Sequence, residues 1–347
     1  MIQGVDLRNY FFYIACTIVL LAGIKVASEI VIILFLAIFI SSIFSTVLTL
    51  LQNKGFPRFI AYVVVLSIFL CITIFTVYII NLSLQDFLSN LDNYEEKLNK
   101  LIISTIALAS QYGYEIDKNA IFDTLNIGSF FGVTTTLIGS IGTFLSKFLL
   151  VIIGVAFILA ETKSSQTKLK MLFGKNQKSF EHFELFSHNI KKYFIVKSFT
   201  SLLTGAVIGF MLILFGVDYP ILWGFIAVLF NFVPVIGSLV AAIPAILLSL
   251  IELDMQTTIY IMVLYFIINI SISNIIEPKL MGKELGLSPL VIFFSLILWG
   301  WLLGIVGMFL AVPITMTLKI AFNSNHQTKW IALLMSDISK QKKKIHT

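Results

Sequence analysis

In a chain this apolar, the side chains that could do chemistry are few and grouped. One group is Asn231-Phe-Val-Pro-Val-Ile-Gly-Ser238, where Pro234 frees backbone carbonyls, Gly237 lets chains approach closely, and Asn231 and Ser238 can hold a polar ligand. A second is Glu277, which opens a polar cluster with Lys279, Lys283 and Glu284 and follows a polar helix end containing Asn269, Ser271, Ser273 and Asn274. The third is glycine-rich, Gly300, Gly304 and Gly307, with Pro313 beyond it. This is chemistry of binding and passage rather than of bond making. No nucleophile is paired with a base, no Walker A motif is present, and the four histidines lack zinc-ligand spacing. The chain is therefore expected to be no enzyme, with no catalytic residues, no metal site and no cofactor.

Each group also has a plain structural reading. The Asn231–Gly237 stretch could be a kink whose freed groups neighbouring helices satisfy again. An ionisable group inside a span is a functional candidate by default. Glu277, however, falls at an expected membrane boundary, where snorkelling or pairing with Lys279 costs little.

Composition says what must position these groups. Of 347 residues, 58% are hydrophobic and 12% charged, with mean hydropathy +0.98. Soluble domains carry roughly 25% charged residues. Several runs reach the ~20 apolar residues that cross ~30 Å of hydrocarbon, and the ten-residue alternation of a β-barrel is missing. The fold class is an all-α polytopic membrane protein: about 6 full transmembrane helices plus two broken, re-entrant helical hairpins, with an extracytoplasmic amphipathic helical segment. The formal charge of +6 comes from lysines beside spans. It points to the lipid bilayer and its anionic headgroups as the partner, with no nucleic acid implied. Cys16 and Cys71 lie in apolar spans and predict no disulfide framework.

Along the chain, residues 1–83 read as transmembrane helices 1–3, the first uncleaved. Residues 84–131 form an amphipathic segment, 132–162 a fourth span, and 163–197 a basic helical segment. A transport core with both broken hairpins occupies 198–322, and a basic tail 323–347. Leu84, Leu91, Leu98, Thr105 and Tyr112 recur every seven residues beside a row of Phe87, Tyr94, Leu101 and Leu108. That seam predicts a helix lying on the membrane or on its own protein, or, more sharply, one packing between subunits. Segment 84–126 is acidic and 163–197 carries eight lysines against two glutamates. The positive-inside rule then puts the first outside and places the second with both termini in the cytoplasm.

The two apolar pieces within 221–251 are each short for a full crossing, and the two within 285–322 pivot on Gly300, Gly304 and Gly307, so both pairs read as re-entrant hairpins. Broken backbone at membrane depth is tolerated only where it is buried in protein or lines a wet cavity. Two opposed hairpins, with tips meeting near the midplane at Asn231–Gly237 and Gly300–Gly307, would build one substrate pathway. Plain spanning by each piece satisfies the side count equally well. Gly282 and Gly286, stiffened on either side by Pro278 and Pro289, are expected to hinge the linker between them. Gly128/Gly132, Gly205/Gly209 and Gly300/Gly304 have the small-xxx-small spacing of close helix packing.

These residues also carry a resemblance. Asn231-Phe-Val-Pro-Val-Ile-Gly237, Glu277-Pro-Lys-Leu-Met-Gly282, Leu287-Ser-Pro289 and Gly304-Ile-Val-Gly-Met-Phe-Leu-Ala-Val-Pro313 are similar to motifs of the AI-2E family of transporters, the autoinducer-2 exporter superfamily. Its layout covers essentially the whole chain, with Tyr193 and Gly205 fitting a weaker stretch upstream. The resemblance implies a multi-pass protein of the bacterial inner membrane that exports a small polar solute such as autoinducer-2. It also implies a homo-oligomer, expected to be a pentamer, and an elevator-like mobile part. Some members are associated with sodium (lithium)/proton antiport, which would make a cation the partner. Val235 stands where the family often has Tyr, and Glu277 is the one acidic coupling group near the expected site. A non-transporting membrane scaffold is the remaining class; it would not need breakers in opposed hairpins.

Overall fold

The computed structural model describes residues 7–112, 148–161, 168, 171, 177–234, 236–281, 286–324 and 327–336. Among them the chain is all helix, apart from one isolated bridge between Leu287 and Ser336. The helices are α1 (Leu7–Val26), α2 (Ser28–Asn53), α3 (Arg58–Ser89), α4 (Leu91–Gln111) and α5 (Phe148–Glu161). They continue as α6 (Gln177–Phe215), α7 (Pro220–Phe230), α8 (Ile236–Glu252) and α9 (Met255–Ser271). A π-helical turn, Ile272–Ile276, leads into α10 (Glu277–Met281); α11 (Pro289–Ser324) and α12 (Lys329–Leu334) follow. Among the described residues, five helical stretches are long and apolar enough to cross a membrane, which together with the shorter apolar ones makes a polytopic membrane protein. The first half of the expected fourth span lies outside the described residues.

The chain forms two compact units. The first comprises 1–62, 150–195 and 283–347, the second 63–149 and 196–282. In the first, α11 packs with α12, α2 and α1. Arg58 donates to the Ala160 carbonyl (2.7 Å), and Tyr62 to that of Ala156 (3.1 Å). In the second, α8 packs against α7, α9 and α4 around a core of Ile208, Leu212, Leu222, Trp223, Ala245, Ile261 and Tyr265.

Three sequence expectations shift. The expected third span and the head of the heptad are one helix, since α3 runs to Ser89 and bends only at Asn90 (φ −97°, ψ 4°). From Gln177 on, the basic segment and the fifth span likewise form one helix, the 39-residue α6. The heptad seam holds only through its first half. Phe87, Tyr94 and Leu98 are buried in the core of their own unit with Leu91 and Ile102 against them, whereas Thr105 and Tyr112 are exposed and Ile106 takes the buried place. A straight helix repeats every 3.6 residues, so a seven-residue pattern rotates off the contact within two or three heptads. The first half of the seam rests on its own unit.

Candidate functional site

In the second unit, polar side chains line one face of α6. Lys197, Thr200, Ser201 and Thr204 follow a three-and-four spacing, and each is at most 4% exposed. Glu277 meets this face from the start of α10. Lys197 Nζ donates to both its carboxylate oxygens (2.8 and 3.0 Å), and Thr200 Oγ1 to Oε2 (3.3 Å). The expectation of a boundary glutamate that snorkels or pairs with Lys279 is thus corrected. Lys279 is exposed, while the Lys197–Glu277 pair has side chains only 5% and 16% exposed. The π turn accounts for the placement. Pro278 has no N–H and would clash with the carbonyl four residues back, so the backbone widens over 272–276 and turns Glu277 inward. Asn274, on that turn, is exposed and takes no part.

Asn231 is buried at the end of α7, and its Nδ2 donates to Ser201 Oγ (3.0 Å), placing it on the same polar face. Pro234 follows in the turn between α7 and α8, where the break was expected. Gly237 is required there: an added Cβ would lie 1.8 Å from the Phe230 carbonyl oxygen. Ser238 is half-buried on the first turn of α8. The Gly205/Gly209 spacing is a true close approach, since a Cβ on Gly205 would lie 2.4 Å from the Gly224 carbonyl oxygen of α7.

From α9, Asn269 donates to the Tyr265 carbonyl (3.2 Å). Its Oδ1 and the Tyr265 hydroxyl are buried without a hydrogen-bond partner among the described residues. Each unpaired buried group costs about 1–3 kcal/mol. Such exceptions in a native structure ask for a reason. The second unit therefore holds an ion pair and a bonded Asn–Ser pair on the α6 face and, on α9, two open hydrogen-bonding groups.

The glycine group belongs to the first unit. Gly304 (φ 65°, ψ −151°) breaks α11 in a region open essentially to glycine alone. A Cβ on Gly307 would lie 2.0 Å from the Trp299 carbonyl oxygen, so the two arms fold back closely. Gly300 lies under the flexible Met308 side chain, so Gly300/Gly304 is a reversal point and not a small-xxx-small packing face. Trp299 Nε1 donates to Thr315 Oγ1 (3.1 Å) across the arms, Pro313 is buried in the second arm, and Lys25 stacks 3.9 Å over the Trp301 ring. Beside them lies an apolar groove of about 500 Å³ lined by Phe294, Leu298, Trp299 and Leu318 among others.

Of the hinge residues, Gly282 lies outside the described residues, as do Val235 and the Gly128/Gly132 pair. Gly286 is left-handed (φ 59°), and its carbonyl accepts from Lys319 (2.5 Å). Pro278 and Pro289 are exposed on either side. Sequence reasoning missed Lys197, Thr200, Ser201, Thr204 and Tyr265. The signal was available for the first four: polar residues at helical spacing inside an otherwise apolar span.

The model of the family described as AI-2E family transporter matches residues 14–326. The chain belongs to the AI-2E transporter family. Among relatives of this AI-2E protein, one from Haemophilus influenzae, named "Putative transport protein", is 34% identical over 97% of this chain and 99% of its own length. The "AI-2 transport protein TqsA" of Escherichia coli is 29% identical over 93% and 94%. "Putative transport protein YrrI" of Bacillus subtilis is 26% identical over 83% and 84%. The chain is thus a membrane transporter and not an enzyme.

Proposed function

We propose that this AI-2E transporter exports a small polar solute such as autoinducer-2 across the bacterial inner membrane, with both termini in the cytoplasm. The observation that carries the reading is the set of buried polar groups in the second unit, the α6 face Lys197–Thr204 with Asn231 and Glu277, and Tyr265 with Asn269 on α9. A membrane helix packs well with apolar and small residues alone. A run of buried hydroxyl and amide groups, two of them unpaired, fits a hydroxyl-rich solute that donates to Asn269 Oδ1 and accepts from Tyr265. The name of the Escherichia coli relative supports the solute class.

The alternative, sodium (lithium)/proton antiport, needs a carboxylate that cycles its proton. Glu277 is held by the Lys197 ammonium and the Thr200 hydroxyl, the geometry of a fixed tie to α6. The lysine-rich stretches on 163–197 and in the tail support the orientation. A homo-oligomer with an elevator-like part hinged near Gly282 and Gly286 completes the proposal. Purified protein in proteoliposomes tests it, with autoinducer-2 and a sodium or pH gradient supplied in parallel. Autoinducer-2 movement that Asn269→Leu abolishes is the expected result. Sodium-driven proton movement without solute transport would replace the exporter with the antiporter.

A further inference from the structure

Away from the polar seam, the second unit carries another cluster that the transport reading does not use. At the turn between α6 and α7, Tyr94 of α4 donates its hydroxyl to Asp218 Oδ2 (2.8 Å), and Asn90 Nδ2 donates to the Tyr219 hydroxyl (3.0 Å). The backbone N–H of Asp218 donates to Glu252 Oε2 at the end of α8 (3.1 Å), and Trp223 Nε1 donates to the Asp218 carbonyl (3.0 Å). Tyr219 holds a left-handed conformation (φ 55°, ψ 43°) that a bulky residue rarely adopts. Its ring stands edge-on to Phe87 and Tyr94. One amphipathic helix, one tight turn and the closing end of the α7–α8 hairpin therefore converge on two carboxyl groups.

We propose that Asp218 and Glu252 share a proton that latches α4 onto the base of the α7–α8 hairpin, and that losing this proton releases the helix. Two adjacent ionised carboxylates repel, whereas one protonated partner donates to the other. Burial, and then the hydrogen bond with Asp218, push Glu252 up to about 7. The Glu252 hydrogen bond, together with the one from Tyr94 and the Lys97 charge, holds Asp218 below the ordinary range. The proton accordingly resides on Glu252.

The other groups facing the pair do not supply a competing switch. Lys97 of α4 acts on Asp218 at a distance; Tyr94 also opposes the rise of Glu252, and burial, then its hydrogen bonds with Tyr219 and Asp218, hold its own hydroxyl protonated far above the physiological range. Beyond Glu252, Asp254 is engaged as the α9 cap by the Thr257 amide (3.0 Å) and hydroxyl (2.7 Å).

The direction follows from linkage. An acid whose value is raised in the closed form holds that form most firmly below its ordinary value, and the hold is lost as pH rises through about 7. The lowered Asp218 acts oppositely, but only below pH ~4. Among the described groups that face the pair, Glu252 alone sets the slope between pH 6 and 8. The latch deepens the architecture of the hairpin that carries Asn231 and does not depend on the solute exported.

The test is hydrogen exchange of the Leu91–Gln111 peptides in the full chain in lipid nanodiscs, corrected for the intrinsic pH dependence of exchange. Protection in the wild type should fall about tenfold from pH 6 to pH 8, the ceiling for one group moving from about 7 toward an ordinary carboxylate value. Glu252→Gln, which keeps a donor toward Asp218, should stay protected at both. Asp218→Asn removes the charge that keeps the proton on Glu252, and should move the step to lower pH. Peptides of Met255–Ser271 should show no step in any form. A wild-type profile flat across this range overturns the latch, as does the same step surviving in both variants.

Discussion

The two broken hairpins are stopped by the same device and lined by opposite chemistry. In each, a glycine just past the break sits where a Cβ would strike a carbonyl of the first arm: Gly237 at 1.8 Å from Phe230, Gly307 at 2.0 Å from Trp299. The reversal is therefore a backbone matter and says nothing about contents. Around α7–α8 and the neighbouring face of α6 lie an ion pair, two buried amides and three buried hydroxyl residues of α6. Around Gly304 lie Trp299, Leu302, Leu303 and Leu310, with a single side-chain hydrogen bond, Trp299 to Thr315, between the arms. A polar lining marks where a solute can be held. An aromatic and aliphatic lining offers a solute few polar partners.

The sharpest way to break this contrast is the ion pair. Lys197→Met leaves Glu277 buried and unpaired, and should destabilise the protein by about 3–5 kcal/mol. Thermal unfolding in detergent reads the loss, and adding Glu277→Leu should restore most of it. If the single and double variants unfold alike, the pair is not a tie and the seam loses its anchor.

Next in size are the two reversal glycines. Gly237→Ala and Gly307→Ala each push a methyl group into a carbonyl, a cost of about 1–3 kcal/mol or more where the backbone must shift. Similar losses in both would support the shared device. A loss at Gly237 alone would make the first unit's reversal adaptable. Gly304→Ala has open space but a forbidden conformation, and should cost about 1–3 kcal/mol through backbone strain alone.

Smallest in stability is Asn231→Ala, at about 1 kcal/mol for one neutral hydrogen bond. Its effect on transport should be disproportionate if the seam binds solute, and solute flux in proteoliposomes checks this. Leu98→Asp bears on α4 instead. Since Leu98 is buried in its own unit, it should lower the unfolding temperature in detergent before it changes the oligomer observed there.

Much of this was legible in order along the chain. The breakers at Asn231–Gly237 and Gly300–Gly307 fall where glycine and proline interrupt apolar runs, because local backbone chemistry decides where a helix can continue. The close approach at Gly205 was likewise readable from the Gly205/Gly209 spacing. The fate of Glu277 was not. Its nearest charged neighbour in sequence is Lys279, but its partner is Lys197, eighty residues earlier.

What the sequence determined alone was the solvent and the secondary structure: apolar length makes the spans, and glycine and proline make the breaks. Only the tertiary structure decided which polar groups meet. A helix offers a side chain two flanking faces, and which of them is buried depends on the neighbour it packs against. Widening by one π turn before Pro278 was enough to bring Glu277 against α6 and leave Asn274 outside.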